Sequence, residues 1–418
     1  MPSSQPTSAL NWRAPFRVQS FRFQWPADLA ASWAFEMESI VLGWFILVES
    51  GSVMILVTYG SLQYLGSLVS PLFGVVCDRI GYRRMLWCTR AVYALMAVTV
   101  MCLSWLEALT PVRVLVLAAI VGMIRPSDQM MRNALIAQSL PSNQLMGALG
   151  ISRMTTESAR IAGALMGAGV VALLGISAAY AVITVLYLCS SVLSTGVQNV
   201  PGSLAKKTPA SPLQDLNLAF SYVWKSPVLM GAMALAFLVN MLAFPFSLGL
   251  LPYVAKNIYQ TDQTGLGLLG ASFALGGLLA SLTLSTHRFK LRAARSMIMS
   301  ACMWFALNLW FAFNTHHGLG MALLMLTGFA QSWCMTPLAA VMLRVTDQGY
   351  RGRVMGMRML AIWGLPIGLL ACGPLVEQLG FAWTASVYSA LGIALTLAMA
   401  LYWRKSLWHA HAKANEAL

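Results

Sequence analysis

Apolar stretches of roughly 20 residues recur along the whole chain, separated by Gly, Pro or clusters of charge. Nothing else in the sequence constrains the fold as strongly. A stretch of that length matches the hydrocarbon thickness of a bilayer, and inside it every backbone N–H and C=O must find a partner within the segment. Helices are therefore the only reading. Twelve are predicted, near 23–49, 53–77, 85–106, 112–131, 145–174, 177–198, 227–252, 265–285, 296–313, 319–342, 354–376 and 382–402. Composition agrees: 10% of residues are charged and 58% hydrophobic, whereas a soluble domain carries about 25% charge. The fold class is an all-α membrane protein.

The formal charge of +14 raises the question of nucleic acid, and its distribution answers it. If the N-terminus is cytoplasmic, all but two of the 27 Lys and Arg fall in or beside cytoplasmic connections, the exceptions being Arg113 and Lys256. That is the bias that orients membrane proteins. Both termini are expected in the cytoplasm, with no nucleic-acid partner. The first 20 residues carry Arg13 and Arg17 and lack a cleavage site, so no secretory signal is expected. None of the seven cysteines falls in a predicted outer loop, and free thiols are expected.

The longest polar stretch between spans, about 198–226, splits the chain into two sets of six. The expected organisation is an arm over 1–22, a six-helix half over 23–198, a central cytoplasmic loop over 199–226, a second six-helix half over 227–402 and a tail over 403–418. The segment after Pro212 has helical apolar spacing and reads as an amphipathic surface helix. Two pseudo-symmetric halves of six helices suggest a transporter with a midplane site between them.

The connection after span 2 reads G-V-V-C-D-R-I-G-Y-R-R, residues 74–84. Its glycines permit a tight turn and close helix approach, and Asp78 can hold neighbouring arginines in an ion-pair latch. It resembles the major facilitator signature G-x-x-x-D-R-x-G-x-[RK]-[RK], matched by Gly74, Asp78, Arg79, Gly81, Arg83 and Arg84. The resemblance implies a latch that locks one state of an alternating-access cycle. Further stretches resemble the branch of that superfamily containing the enterobactin exporter and related siderophore and drug exporters. They are G-W-F-I-L-V-E-S-G-S (43–52), A-L-I-A-Q-S-L-P (134–141), S-A-R-I-A-G-A-L-M-G-A (158–168), L-N-L-A-F-S-Y-V-W-K-S-P-V-L (216–229), L-G-L-L-P-Y-V (248–254) and R-G-R-V-M-G-M (351–357). Export-type members often carry G-x-x-x-G-P-x-x-G-G in span 5. Here Gly163 and Gly167 keep the small-residue spacing, but the proline position is Ala164. The corresponding connection of the second half, H-R-F-K-L-R-A-A-R, lacks an acid.

Charges inside the spans mark the candidate site, because an ionised side chain in lipid costs on the order of 3 kcal/mol or more. Glu36 lies near the middle of span 1. Ser32, Ser39, Gly43 and Ser50 share its stripe, which is expected to face the cavity between halves. Glu38 is about 200° away, on the side of Leu42, Phe45 and Glu49. An acid shielded from water can take up and release a proton, so Glu36 is the first candidate for proton or substrate coupling, and Glu38 more a structural hydrogen-bonding group. Asp28, after Pro26, is read near the helix start, where an acid also favours the dipole. In span 4, Arg125 and Asp128 share a face; in span 5, Arg153, Glu157 and Arg160 form a charged stripe. These are read as an ion-pair network, with Arg125 or Arg160 as alternative counter-charges for an anionic substrate. Asn240, Gln331, Trp333 and Trp363 are candidate cavity residues of the second half, and the 26 methionines suit an adaptable cavity.

G-L-G-L-L-G at 265–270 fits a nucleotide-loop pattern but follows no strand, and helix packing accounts for it. His316-His317 and His409-Ala410-His411 are isolated at exposed ends, so no metal is expected, and no catalytic motif is present. The expectation is a monomeric, multi-pass exporter of a bacterial inner membrane, neither enzyme nor sensor. It would need no cofactor beyond the proton gradient and would move a small polar metabolite, a siderophore first. Drug efflux and organic-acid uptake are the alternatives.

Overall fold

A computed structural model describes residues 14–67, 77, 80–197, 212–285, 293–347 and 350–404. Among them, ten helices are long and apolar enough to cross a membrane. Two further spans complete twelve. Span 2 begins as Val53–Leu62 and tightens into a 3₁₀ turn, Leu65–Ser67, before leaving the described residues. Spans 5 and 6 run as one helix, Ser142–Thr195, broken only at Gly175, where φ is 81° and ψ is 176°. A side chain at that φ is strained, so glycine is what lets the chain turn there.

The other spans are Gln19–Ser50 (span 1), Tyr82–Trp105 (span 3), Pro111–Ser139 (span 4), Gln263–Ser285 (span 8), Ala293–Phe313 (span 9), His317–Val345 (span 10) and Phe381–Tyr402 (span 12). Span 7 starts as Pro227–Leu242 and continues through two π-helical turns, Pro245–Gly249 and Val254–Ile258. Span 11 runs Arg351–Leu360, through a 3₁₀ turn at Ala361–Trp363, to Gly364–Leu379. Thr110 and Ser226 cap spans 4 and 7 with their hydroxyls, each followed by a proline whose missing N–H costs nothing there.

Span 1 starts four residues earlier than expected, which changes the reading of Asp28. Pro26 lies inside the helix and Asp28 sits in its third turn, so helix-dipole stabilisation does not apply. Its partners are side chains of other helices.

The halves meet along three lines. Span 1 approaches span 7, where a Cβ on Gly43 would lie 3.3 Å from Pro252. Span 2 lies on span 11, where the Ser61 hydroxyl bonds the Pro366 carbonyl and a Cβ on Gly373 would lie 2.8 Å from Val57. Span 5 lies on span 8, where Gly267 and Gly270 face Ala168 and Ala164. The glycines of span 5 serve the other side. A Cβ on Gly163 would come within 2.6 Å of Glu36 Cβ, and one on Gly167 within 3.0 Å of Met37 Cα. The A-G-A-L-M-G-A stretch thus packs glycines on span 1 and alanines on span 8, a close double interface of small residues.

Candidate functional site

The buried charges gather in the first half as three connected groups. The first is nearest the end where span 1 begins. Asp28 pairs with Arg90 of span 3 and, at 3.6 Å, with Arg132 of span 4. Arg132 also holds Asp128 at 2.5 Å, and Arg90 lies 3.8 Å from the same carboxylate. Ser32 and Ser194 hydroxyls add bonds to Arg132 and Arg90, and Gln24 donates to the Arg132 carbonyl. All four ionic side chains are buried. Two acids against two arginines leave no net charge, which is what makes such burial tolerable.

The second group is Glu38 with Arg125. The Arg125 guanidinium lies 3.4 Å from the Glu38 carboxylate, donates to Gln63 Oε1 at 3.1 Å and sits 3.1 Å above the Phe35 ring. The Tyr187 hydroxyl donates to the same Glu38 oxygen at 3.0 Å. Beside the pair lies a cavity of about 20 Å³, bordered by Tyr59, Gln63, Met96 and Leu117; it has room for one water-sized molecule.

The third group reaches the other half. Glu36 lies 3.5 Å from Arg160, which bonds Glu157 at 3.2 Å; Arg153 holds the other Glu157 oxygen at 2.7 Å. The Glu157 carboxylate is buried, and a Cβ on Gly277 of span 8 would lie 3.4 Å from it. Glu36 and Arg160 keep 16% and 25% of their side chains exposed at mid-helix, so this group is not fully sealed in the core. The two glutamates therefore part as their angular separation demands. Glu38 points into the first half, and Glu36 toward span 5 and the line where the halves meet. Ser32, on the stripe of Glu36, is spent on Arg132.

Three of the second-half candidates are engaged within their own half. Asn240 donates to the Ala236 carbonyl of its own helix, Gln331 accepts from Ser332, and the Trp333 indole reaches Thr283. The Trp363 indole N–H has no partner among the described residues. Of the signature after span 2, Gly74, Asp78 and Arg79 lie outside the described residues. Gly81 has a φ of 96° before span 3, and Arg83 donates to the Thr195 carbonyl of span 6. Among the described residues, no group of His, Cys, Asp and Glu could hold a metal ion.

Asp128, expected in an ion-pair network with Arg125, is paired instead with Arg132 and Arg90; Arg90, Arg132 and Tyr187 complete the network and were not singled out by sequence as site residues. The available signal was position: Arg90 lies two turns inside span 3, too deep for a loop residue.

Twelve apolar helices in two halves, with ion pairs sunk inside the first, define a polytopic membrane transporter. The Major Facilitator Superfamily model matches residues 27–285, and the chain belongs to that family. Among curated proteins, it is 26% identical to the multidrug efflux pump Tap of Mycolicibacterium fortuitum over 359 residues, covering 82% of this chain and 85% of the pump. Solved structures share the fold at low identity. A POT family transporter in complex with 5-aminolevulinic acid superposes with a TM-score of 0.73 at 12% identity, covering 92% of this chain and 96% of that one. A bacterial homologue of the human lysosomal transporter Spinster gives 0.69 at 12%, covering 97% and 98%. The nucleoside transporter NupG gives 0.65 at 16%, covering 91% and 98%.

Proposed function

We propose that the protein is a proton-coupled efflux pump of a bacterial inner membrane, exporting amphipathic organic compounds by alternating access, with both termini in the cytoplasm. One observation carries the reading: the Glu36–Arg160–Glu157 chain lies at mid-helix, partly exposed and against span 8 of the other half. When Glu36 takes up a proton, Arg160 keeps only Glu157, and the charge balance along the line between the halves changes. A proton and a substrate that prefer different arrangements of that line would shift the two states in opposite directions. The Glu38–Arg125–Tyr187 group lies within the first half and, with Gln63, holds spans 1, 2, 4 and 6 together.

The likeness to a multidrug efflux pump supports organic compounds as cargo. A siderophore remains the reading favoured by the sequence resemblance. Both are tested in cells. A deletion strain should accumulate more ethidium than its parent, and the difference should vanish with a protonophore. Spent medium from iron-starved cultures should contain the same siderophore in both strains. Equal ethidium accumulation with less secreted siderophore in the deletion strain would reverse the assignment.

A further inference from the structure

Lys256 is one of the two cations that the charge bias leaves at the end of the bundle far from the termini. The second π-helical turn of span 7 carries it to the end of span 1, where its ammonium donates to the Leu47 carbonyl at 3.2 Å. Leu47 lies in the last turn of span 1, just before Gly51 turns the chain with a φ of 63°. The Leu47 carbonyl already accepts the Gly51 N–H at 3.1 Å, so Lys256 adds a second, charged donor to it at the negative pole of the helix. Among the described residues, no carboxylate lies within 4.0 Å of Lys256.

At the start of span 2 the opposite arrangement holds. The span opens with Ser52, whose hydroxyl accepts the Ile55 N–H. The Met54 N–H, another unpaired donor of the first turn, is taken at 3.3 Å by Glu377 Oε1 of span 11. One turn deeper, Gly373 lets span 11 lie directly on Met54 and Val57. Glu377 likewise has no cation within ion-pairing distance among the described residues. The second half thus offers a cation to the negative end of span 1 and an anion to the positive end of span 2. Each charge meets a helix pole of the right sign, and each contact crosses between the halves.

We propose that Lys256 and Glu377 are positioning residues of the transport cycle: they cap the span 1–span 2 hairpin across the halves and hold the far end of the bundle shut. Opening that end requires both caps to be released. The inference rests on alternating access, and neither on the cargo nor on the role of Glu36.

The test is a distance measurement on the full-length protein in lipid nanodiscs. Spin labels are placed at Val112 and Leu319, exposed positions on the first and second half at the far end, with the seven native cysteines replaced by serine. Each neutral variant, Lys256→Gln or Glu377→Gln, should raise the ratio of long-distance to short-distance population roughly two- to fivefold, the range expected of one charge–helix-end contact. Lys256→Arg should restore the starting ratio, since a guanidinium can also donate to Leu47. The charge exchange Lys256→Glu with Glu377→Lys should open the far end more than both neutral changes together, because each charge then meets the wrong pole. An unchanged distribution in the single neutral variants overturns the proposal. So does a charge exchange that restores the starting distribution, which would show that the two residues act on each other. If the exchanged protein is not recovered monodisperse, the single variants decide alone.

Discussion

Arg90 has no exposed surface, and everything that compensates its charge comes from other helices: Asp28 of span 1, Asp128 of span 4 and the Ser194 hydroxyl of span 6. Removing one side of such a group leaves the other charges buried without a counter-charge, at a cost of about 3–5 kcal/mol. Arg90→Met should lower unfolding stability in detergent by roughly 3 kcal/mol. Arg113→Met, at an exposed site where the side chain donates to the Ala108 carbonyl, should stay within about 0.5 kcal/mol. Equal losses would contradict the buried network. The two glutamates of span 1 should also part in stability. Glu38 is the only acid on Arg125 among the described residues, so Glu38→Gln should cost on the order of 2 kcal/mol. In Glu36→Gln, Arg160 still has Glu157, and the change should stay below about 1 kcal/mol. At this scale the sequence was partly legible. A separation of about 200° already assigned Glu36 and Glu38 to different faces. The partners of Arg90 were not legible, because they are set by how four helices pack and by no spacing within one of them. Lys256 and Glu377 were harder still, since their partners are backbone groups at helix ends.

At the scale of elements, span 5 is packed between span 1 and span 8. Its glycines allow span 1 to approach so closely that Gly163→Leu would force the helices apart. That variant should lose transport and melt several degrees lower, because a fully packed interface has no room for four added carbons. Gly169, where an added β-carbon would meet nothing within 4 Å, is the control: Gly169→Ala should leave transport unchanged and stabilise the helix by about 0.5–1 kcal/mol. A tolerated Gly163→Leu would mean that this contact is not required at any stage of the cycle. The helices themselves were legible because a bilayer leaves the backbone few choices. Their ends were less so. Span 1 begins earlier than its apolar run, since Ser20 and Phe21 are buried and Ser20 bonds Ser139 of span 4. The π-helical turns of span 7 are mostly apolar, and their hydropathy does not set them apart from α-helix.

Across the whole molecule the two halves differ in how they use polarity. The ion pairs described above lie in the first half. Among the described residues, the second half shows neutral bonds, such as the buried chain in which the Trp304 indole donates to Ser247, Ser247 to Asn308, and Asn308 to the Ala243 carbonyl. Neutral bonds do not change when a proton arrives, whereas a carboxylate against an arginine does. In the proposed coupling, spans 1 and 5 hold the proton-binding groups and span 8 is the surface they act upon. The direct measurement is transport by purified protein in proteoliposomes under an imposed pH gradient, with ethidium as cargo. Glu36→Gln should abolish gradient-driven accumulation while leaving counterflow exchange of ethidium in place, because the mutant still alternates but no longer carries a proton. Undiminished gradient-driven accumulation in Glu36→Gln would contradict the account.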